Sequence, residues 1–316
     1  MSTPVPVDTI DARPPSFLRS AAMMAADIKL AHSIFALPFA VLAAFLVGPS
    51  RTDDAELWNP FWGKLALVVV CMICARTWAM LFNRLADRAF DAANERTKRR
   101  VFASGRVSAR AGWIGAIAAA ACFVGAASLF WVFFGNAWPA ILSLPVLAWI
   151  AFYSLTKRFT ALCHIFLGGA LGLSPLAAAV AVDPHRFAST PSIIWLGVFV
   201  VFWVAGFDVI YALQDEDFDR ARGLLSIPAK MGTRGALWVS RALHTCAKLS
   251  LAVAWSREPR FTWVFGVAVV AVSGLLLLEH GIVARRGKEG LHMAFFTVNG
   301  IVSCILGALG VADAIW

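Results

Sequence analysis

Residues 63–94 read GKLALVVVCMICARTWAMLFNRLADRAFDAAN, and the two parts of this stretch differ in kind. Residues 63–82 are apolar apart from Lys64, Arg76 and Thr77. A helix of that length crosses the hydrocarbon of a bilayer, about 30 Å thick. Lipid offers no partner to backbone N–H and C=O groups, so such a run has to be helical. The part that follows, NRLADRAFDAAN, places Asn83, Asp87 and Asp91 four residues apart. On a helix that spacing stacks three oxygen-bearing side chains along one face.

The rest of the chain repeats the apolar theme. Of its 316 residues 60% are hydrophobic and only 15% are charged, against about a quarter in soluble domains. Apolar runs at 30–49, 63–82, 111–134, 138–155, 160–182, 192–213, 236–254, 262–283 and 293–314 predict an all-α, polytopic bundle of nine transmembrane helices. Residues 1–26, with Pro4, Pro6, Pro14 and Pro15, read as a flexible tail, and 27–316 as one transmembrane domain. The first run lacks the small-residue exit of a cleaved signal peptide and reads as a retained span. Most of the 28 Lys and Arg lie in the tail and in 83–110, 156–159, 214–235 and 284–292. The opposite connections hold only Arg51, Lys64, Arg186, Arg257 and Arg260. The positive-inside rule therefore places the N terminus and the two long loops in the cytoplasm, as in a bacterial inner membrane. The net charge of +9 is read as topology and lipid or anionic-substrate contact, with no nucleic-acid partner. Six cysteines sit mostly in apolar runs; Cys71 and Cys74 form a CxxC with no second pair and read as small hydrophobes.

A second acidic face lies at 208–223, DVIYALQDEDFDRARG, where Asp208, Tyr211, Asp215 and Asp219 fall together while Glu216 and Asp217 point elsewhere. The plain reading pairs these acids with Arg88, Arg220 and Arg222. Two in-step acidic faces, each ending a span, favour a shared cationic guest, because clustered carboxylates otherwise repel. Carboxylate and amide oxygens suit Mg²⁺, which commonly shares its shell with phosphates. Arg96, Lys98, Arg99 and Arg100 follow the first face, and Lys157 ends the fourth span. Topology anchoring and lipid-headgroup contact are the plain reading of the 96–100 run, preferred for Arg99 alone. Carboxylates for Mg²⁺ beside Arg and Lys are also what a diphosphate requires. Arg76 lies two turns deeper than Asn83 on the same face. Its guanidinium either snorkels, pairs with a structural acid, or grips a substrate carboxylate.

These motifs resemble the UbiA-type superfamily of intramembrane aromatic prenyltransferases. The family's N-x-x-x-D-x-x-x-D, then R-T-x-x-R and a glycine, is matched by Asn83, Asp87, Asp91, Arg96, Thr97, Arg100 and Gly105. Its D-x-x-Y-x-x-x-D-x-x-x-D-x-x-x-G is matched by Asp208, Tyr211, Asp215, Asp219 and Gly223, followed by SIP at 226–228. YSLTK supplies Tyr153 and Lys157, and KLAHSIFALPFA (29–40) is similar to the family's first helix. The resemblance covers the chain from about residue 27 onward. Two departures stand out: Asn-Arg at 83–84 where many members have Asn-Asp, and Arg-Val-Phe-Ala at 100–103 where many have Arg-Pro-Leu-Pro. The Asn-Arg form is similar to a 4-hydroxybenzoate polyprenyltransferase-like subgroup that includes candidates for menaquinone synthesis through futalosine.

The resemblance implies a bundle with cytoplasmic cap loops over a central cavity. It implies Mg²⁺ held by Asn83, Asp87, Asp91, Asp215 and Asp219, binding the diphosphate of a polyprenyl donor. Arg96, Arg100 and Lys157 would neutralise the leaving group, with Tyr211 in the substrate site and Tyr153 sheltering an allylic cation. The ring of an aromatic acid such as 4-hydroxybenzoate, gripped by Arg76, would attack at carbon, with Asp208 orienting its hydroxyl or taking a proton. A naphthoate acceptor for menaquinone is the alternative within this chemistry. The donor's tail would lie among membrane lipid. An ion-coupled transporter is the rival from another class; its acids belong at the bilayer midplane rather than at helix ends. Pro38, Pro145, Pro175, Gly168, Gly169 and Gly172 either bend helices around a cavity or serve packing. His32 and His164 read as satisfied packing residues.

Overall fold

The computed structural model describes residues 17–28, 35–50 and 52–316, and among the described residues every regular element is helical. In chain order these are α1 (Phe17–Ile28), α2 (Leu37–Val47), α3 (Ala55–Ala86), α4 (Arg88–Ala93), α5 (Ala109–Phe134), α6 (Trp138–Thr156) and α7 (Cys163–Val182). There follow α8 (Pro184–Ala188), α9 (Ser192–Tyr211), a 3₁₀ turn (Ala212–Asp215), α10 (Glu216–Ala221), α11 (Ile227–Arg257), α12 (Trp263–Arg286), a π-helical stretch (Met293–Val298) and α13 (Asn299–Ile315). Among the described residues seven helices are long and apolar enough to cross a membrane, where the sequence predicted nine spans. The other two expected spans are helical but fall short. The described part of the first is the 11-residue α2, and positions 29–34, with Lys29 and His32, lie outside the described residues. The seventh lies within α11, whose hydropathy is lowered by Ser240, Arg241, His244 and Lys248.

The bundle is built around α9. Its Ile193, Leu196, Phe199, Val200 and Trp203 are fully buried, and it packs along α7 and α11. A helix apolar on all sides belongs at the centre of such a bundle. Close approach of α7 depends on small residues: a Cβ at Gly168 would stand 2.2 Å from the Val201 carbonyl oxygen, and one at Gly172 2.6 Å from the Val201 side chain. These two glycines serve helix packing. Pro38 opens α2 rather than bending it, whereas Pro145 and Pro175 are internal to α6 and α7.

Polar side chains tie the apolar helices together. Trp203 Nε1 donates to Asn299 Oδ1 (2.7 Å), and Asn299 Nδ2 donates to Glu279 Oε1 (2.9 Å), joining α9, α13 and α12. At the end remote from the acidic motifs, Asp313 accepts from the backbone N–H groups of Thr262 and Phe265 and from the Thr262 hydroxyl, capping α12. All six cysteines are free.

The tail expectation is revised in part. Residues 1–16 lie outside the described residues, but Phe17–Ile28 forms α1. Its Met24 and Ile28 are buried among Leu81, Leu85, Val101 and Phe102. Asp27 forms an ion pair with Arg84 at 3.3 Å. Both departures from the family pattern thus belong to this contact: Arg84 turns to α1, and Val101 and Phe102 fill the core beneath it.

Gly168→Leu is expected to force α7 from α9 and lower the melting temperature in detergent, at a cost of about 1–3 kcal/mol or more. Gly125→Leu, where a Cβ meets nothing within 4 Å, is expected to leave it unchanged.

Candidate active site

Neither acidic motif is an unbroken helix. The helical run of α3 ends at Ala86, and Asp87, at φ −94° and ψ 9°, separates it from α4. The i to i−4 bonds nevertheless continue, from Asp87 N–H to Asn83 O (2.9 Å) and from Asp91 N–H to Asp87 O (2.8 Å), so the face is bent rather than lost. In the second motif the 3₁₀ turn Ala212–Asp215 intervenes between α9 and α10. Its tighter winding parts Asp208 and Tyr211 from Asp215 and Asp219, which the sequence placed on one face.

Asp87, Asp91, Asp215 and Asp219 line one cavity of about 100 Å³, together with Asn94, Arg96, Thr97, Arg100, Lys157 and Arg158. That is room for several waters or a polar guest of similar size. Each aspartate meets its own base. Arg158 Nη2 lies 3.2 Å from Asp87, Arg100 Nη1 2.7 Å from Asp91, and Lys157 Nζ 2.7 Å from Asp219. Arg96 grips Asp215 in a fork, Nε to Oδ1 at 3.0 Å and Nη2 to Oδ2 at 2.5 Å, across 119 residues of sequence. Asn94 Nδ2 adds a bond to Asp215 Oδ1 at 3.0 Å. The first motif's loop is therefore clamped onto the second motif's carboxylate. Glu216 and Asp217 do point elsewhere, to Arg220 and Thr233 and to Lys288.

Local turns bring Asp219 into place. Gly223 takes φ +67° after α10, a left-handed position natural to glycine, and Leu224 N–H returns to the Asp219 carbonyl at 2.9 Å. Ser226 then donates its hydroxyl to Asp219 Oδ2 (2.9 Å) while accepting from Ala229 N–H as the cap of α11. Leu225 N–H bonds the Lys157 carbonyl at 2.8 Å, so this turn is stitched to the end of α6.

The remaining expected residues lie around or below the cavity. Asn83 turns its amide to Asp87 Oδ2 (3.3 Å) and does not line the cavity; one turn back along α3, it reaches the guest's space only through Asp87. Tyr211 stacks on Phe295 at 4.1 Å and supports Arg96, whose guanidinium lies 5.6 Å from the tyrosine ring centre. Arg76, Tyr153 and Asp208 do not line the cavity, and Tyr153 is the electrostatic neighbour of both others. Among the described residues the buried Nε of Arg76 has no hydrogen-bond partner. Sequence reasoning gave no role to Asn94, Arg158 or Ser226, and took His164 for packing alone. Arg158 was signalled by adjacency to Lys157. His164 pairs with Asp208 at 2.6 Å.

Among the described residues no three His, Cys, Asp or Glu side chains are close enough to enclose a metal ion unaided. Mg²⁺ needs less, binding through one or two carboxylates and completing its shell with water and substrate phosphates. Two pairs of carboxylates facing one cavity fit that requirement. The four bases fit the accompanying phosphate oxygens.

Residues 36–301 match the UbiA prenyltransferase family. The chain belongs to that family. It is 27% identical over 267 residues to the 4-hydroxybenzoate octaprenyltransferase of Nitrosomonas europaea, covering 80% of this chain and 87% of that relative. The apo structure of a UbiA homolog from Aeropyrum pernix has a TM-score of 0.77 and 31% identity, covering 90% of this chain and 98% of that one. A UbiA homolog from Archaeoglobus fulgidus bound to GPP and Mg²⁺ shares the fold, with a TM-score of 0.63 at 20% identity over 92% of this chain and 99% of that one. Family and apolar helices together make the chain an integral membrane protein.

Burial pushes the Asp87 carboxyl above its ordinary range, against the pull of the Arg158 hydrogen bond. A carboxyl raised in the folded state contributes less stability as pH rises through its folded pKa. Asp87→Asn is therefore expected to leave the melting temperature at pH 7 unchanged or higher; a fall would show Asp87 to be a structural ion-pair partner.

Proposed function

We propose that the chain transfers a polyprenyl group from its diphosphate to a ring carbon of a 4-hydroxybenzoate-type aromatic acid, in quinone biosynthesis. The convergence of Asp87, Asp91, Asp215 and Asp219 with four bases on one cavity carries the reading. The name of the Nitrosomonas relative supports the acceptor and donor class.

Asp87, Asp91, Asp215 and Asp219, with Asn83 steadying Asp87, would hold Mg²⁺, which supplies neutralising charge to the diphosphate. Arg96, Arg100, Lys157 and Arg158 exchange their carboxylate partners for diphosphate oxygens. They stabilise the negative charge that grows on the leaving group as its bond to the prenyl carbon breaks. Below them Tyr153 presents its ring to the allylic cation, and Arg76 fixes the acceptor's carboxylate through a planar fork. The ring carbon attacks the cation, and Asp208 receives the hydroxyl proton. The cavity opens on the cytoplasmic side of a bacterial inner membrane, where soluble acceptor arrives, while the isoprenoid tail stays in hydrocarbon.

The test supplies purified protein with geranyl diphosphate and either 4-hydroxybenzoate or 1,4-dihydroxy-6-naphthoate. Mg²⁺-dependent prenylation of the benzoate is expected; product from the naphthoate alone would move the acceptor assignment. Asp91→Asn or Asp215→Asn is expected to lower turnover about 100-fold or more, and undiminished turnover in either would count against its role. Arg76→Ala is expected to raise the acceptor KM with the donor KM retained.

A further inference from the structure

His164 lies in the first turn of α7, buried and bonded on both ring nitrogens. Its Nε2 accepts from the backbone N–H of Ile227 at 3.3 Å, and its Nδ1 lies 2.6 Å from Asp208 Oδ2. A backbone N–H can only donate, so Nε2 carries the lone pair and Nδ1 carries the proton. His164 Nδ1–H is thus the donor to Asp208 Oδ2. The other carboxylate oxygen, Oδ1, makes no hydrogen bond among the described residues, and the Asp208 side chain keeps 23% of its surface accessible. Tyr153 is the electrostatic neighbour of both Asp208 and Arg76. Ile227 is the residue after Ser226, which holds Asp219 in the diphosphate pocket. His164 therefore touches both halves of the site: Asp208 directly, and Asp219 through the Ser226–Ile227 turn.

We propose that His164 is the positioning residue that aims Asp208 as base for the acceptor's hydroxyl. The inference rests on the prenyl transfer proposed above. As the new bond forms between prenyl and ring carbons, the bond from prenyl carbon to diphosphate oxygen breaks and its electron pair leaves with the diphosphate. The hydroxyl proton passes to Asp208 Oδ1. When the alkylated ring carbon gives up its hydrogen to the departing diphosphate, Asp208 returns its proton to the ring oxygen. The carboxylate is regenerated and nothing further is consumed. Throughout, the Nδ1–H of His164 stays on Oδ2, holding Oδ1 toward the acceptor.

The experiment compares wild type, His164→Ala and His164→Asn in the full-length protein with geranyl diphosphate, Mg²⁺ and two acceptors, 4-hydroxybenzoate and the more acidic 3-fluoro-4-hydroxybenzoate. His164→Ala is expected to keep its donor KM within about twofold and to lose about 10- to 100-fold in kcat/KM for 4-hydroxybenzoate, the range for losing a hydrogen bond to a charged group. With the fluorinated acceptor, whose hydroxyl needs less help to ionise, the loss should shrink to a few-fold. His164→Asn, whose amide N–H stands near the position of Nδ1–H, should recover most of the activity. Equal losses for both acceptors, loss of donor affinity in step with acceptor use, or no loss would overturn the assignment. Absence of prenylated product from wild type with either acceptor would overturn the underlying reading, a result distinct from any of these.

Discussion

The forked contact between Arg96 and Asp215 is the interaction on which the rest of the site depends. It directly joins two motifs that are remote in sequence and carried by different helices. Asn94 reinforces it from the same loop, and Tyr211, stacked on Phe295, supports the arginine from behind. A planar guanidinium against a carboxylate fixes distance and angle together, so the loop after α4 is held over the cavity rather than beside it.

The other three carboxylates repeat the principle with different partners. A cluster of buried and half-buried aspartates would be unstable without compensating charge, and here each draws on its own arginine or lysine. The same bases are the groups a diphosphate would attract. A guest bringing divalent cations and phosphate oxygens would satisfy carboxylates and bases at once. Beneath it the bundle offers chemistry of another kind, with one guanidinium, one phenol and one carboxylate set among apolar helices.

Much of this was legible in the sequence. The apolar runs gave the helices because lipid permits no other backbone, and the four-residue spacing of Asn83, Asp87 and Asp91 marked a chemical face. Arg96, Arg100 and Lys157 were recognisable as bases near acids. What was hidden depends on tertiary placement. The break at Asp87 and the 3₁₀ turn before Asp215 decide which members of each face reach the cavity, so Asn83, Tyr211 and Asp208 stand outside its lining. Arg84 looked like an anomaly within the motif until α1 supplied Asp27. His164, a lone histidine on an apolar helix, had no spacing to mark it; its meaning comes from Asp208 and Ile227, far away in the chain.

The most direct test of the account uses Mn²⁺ in place of Mg²⁺ and a non-ionising thiolo analogue of geranyl diphosphate, observed by electron paramagnetic resonance with detection of ³¹P coupling. The account predicts ³¹P coupling to bound Mn²⁺ that is lost or sharply weakened when a carboxylate of either motif is removed. Mn²⁺ held by one motif alone, with full ³¹P coupling after neutralisation of the other, would contradict it.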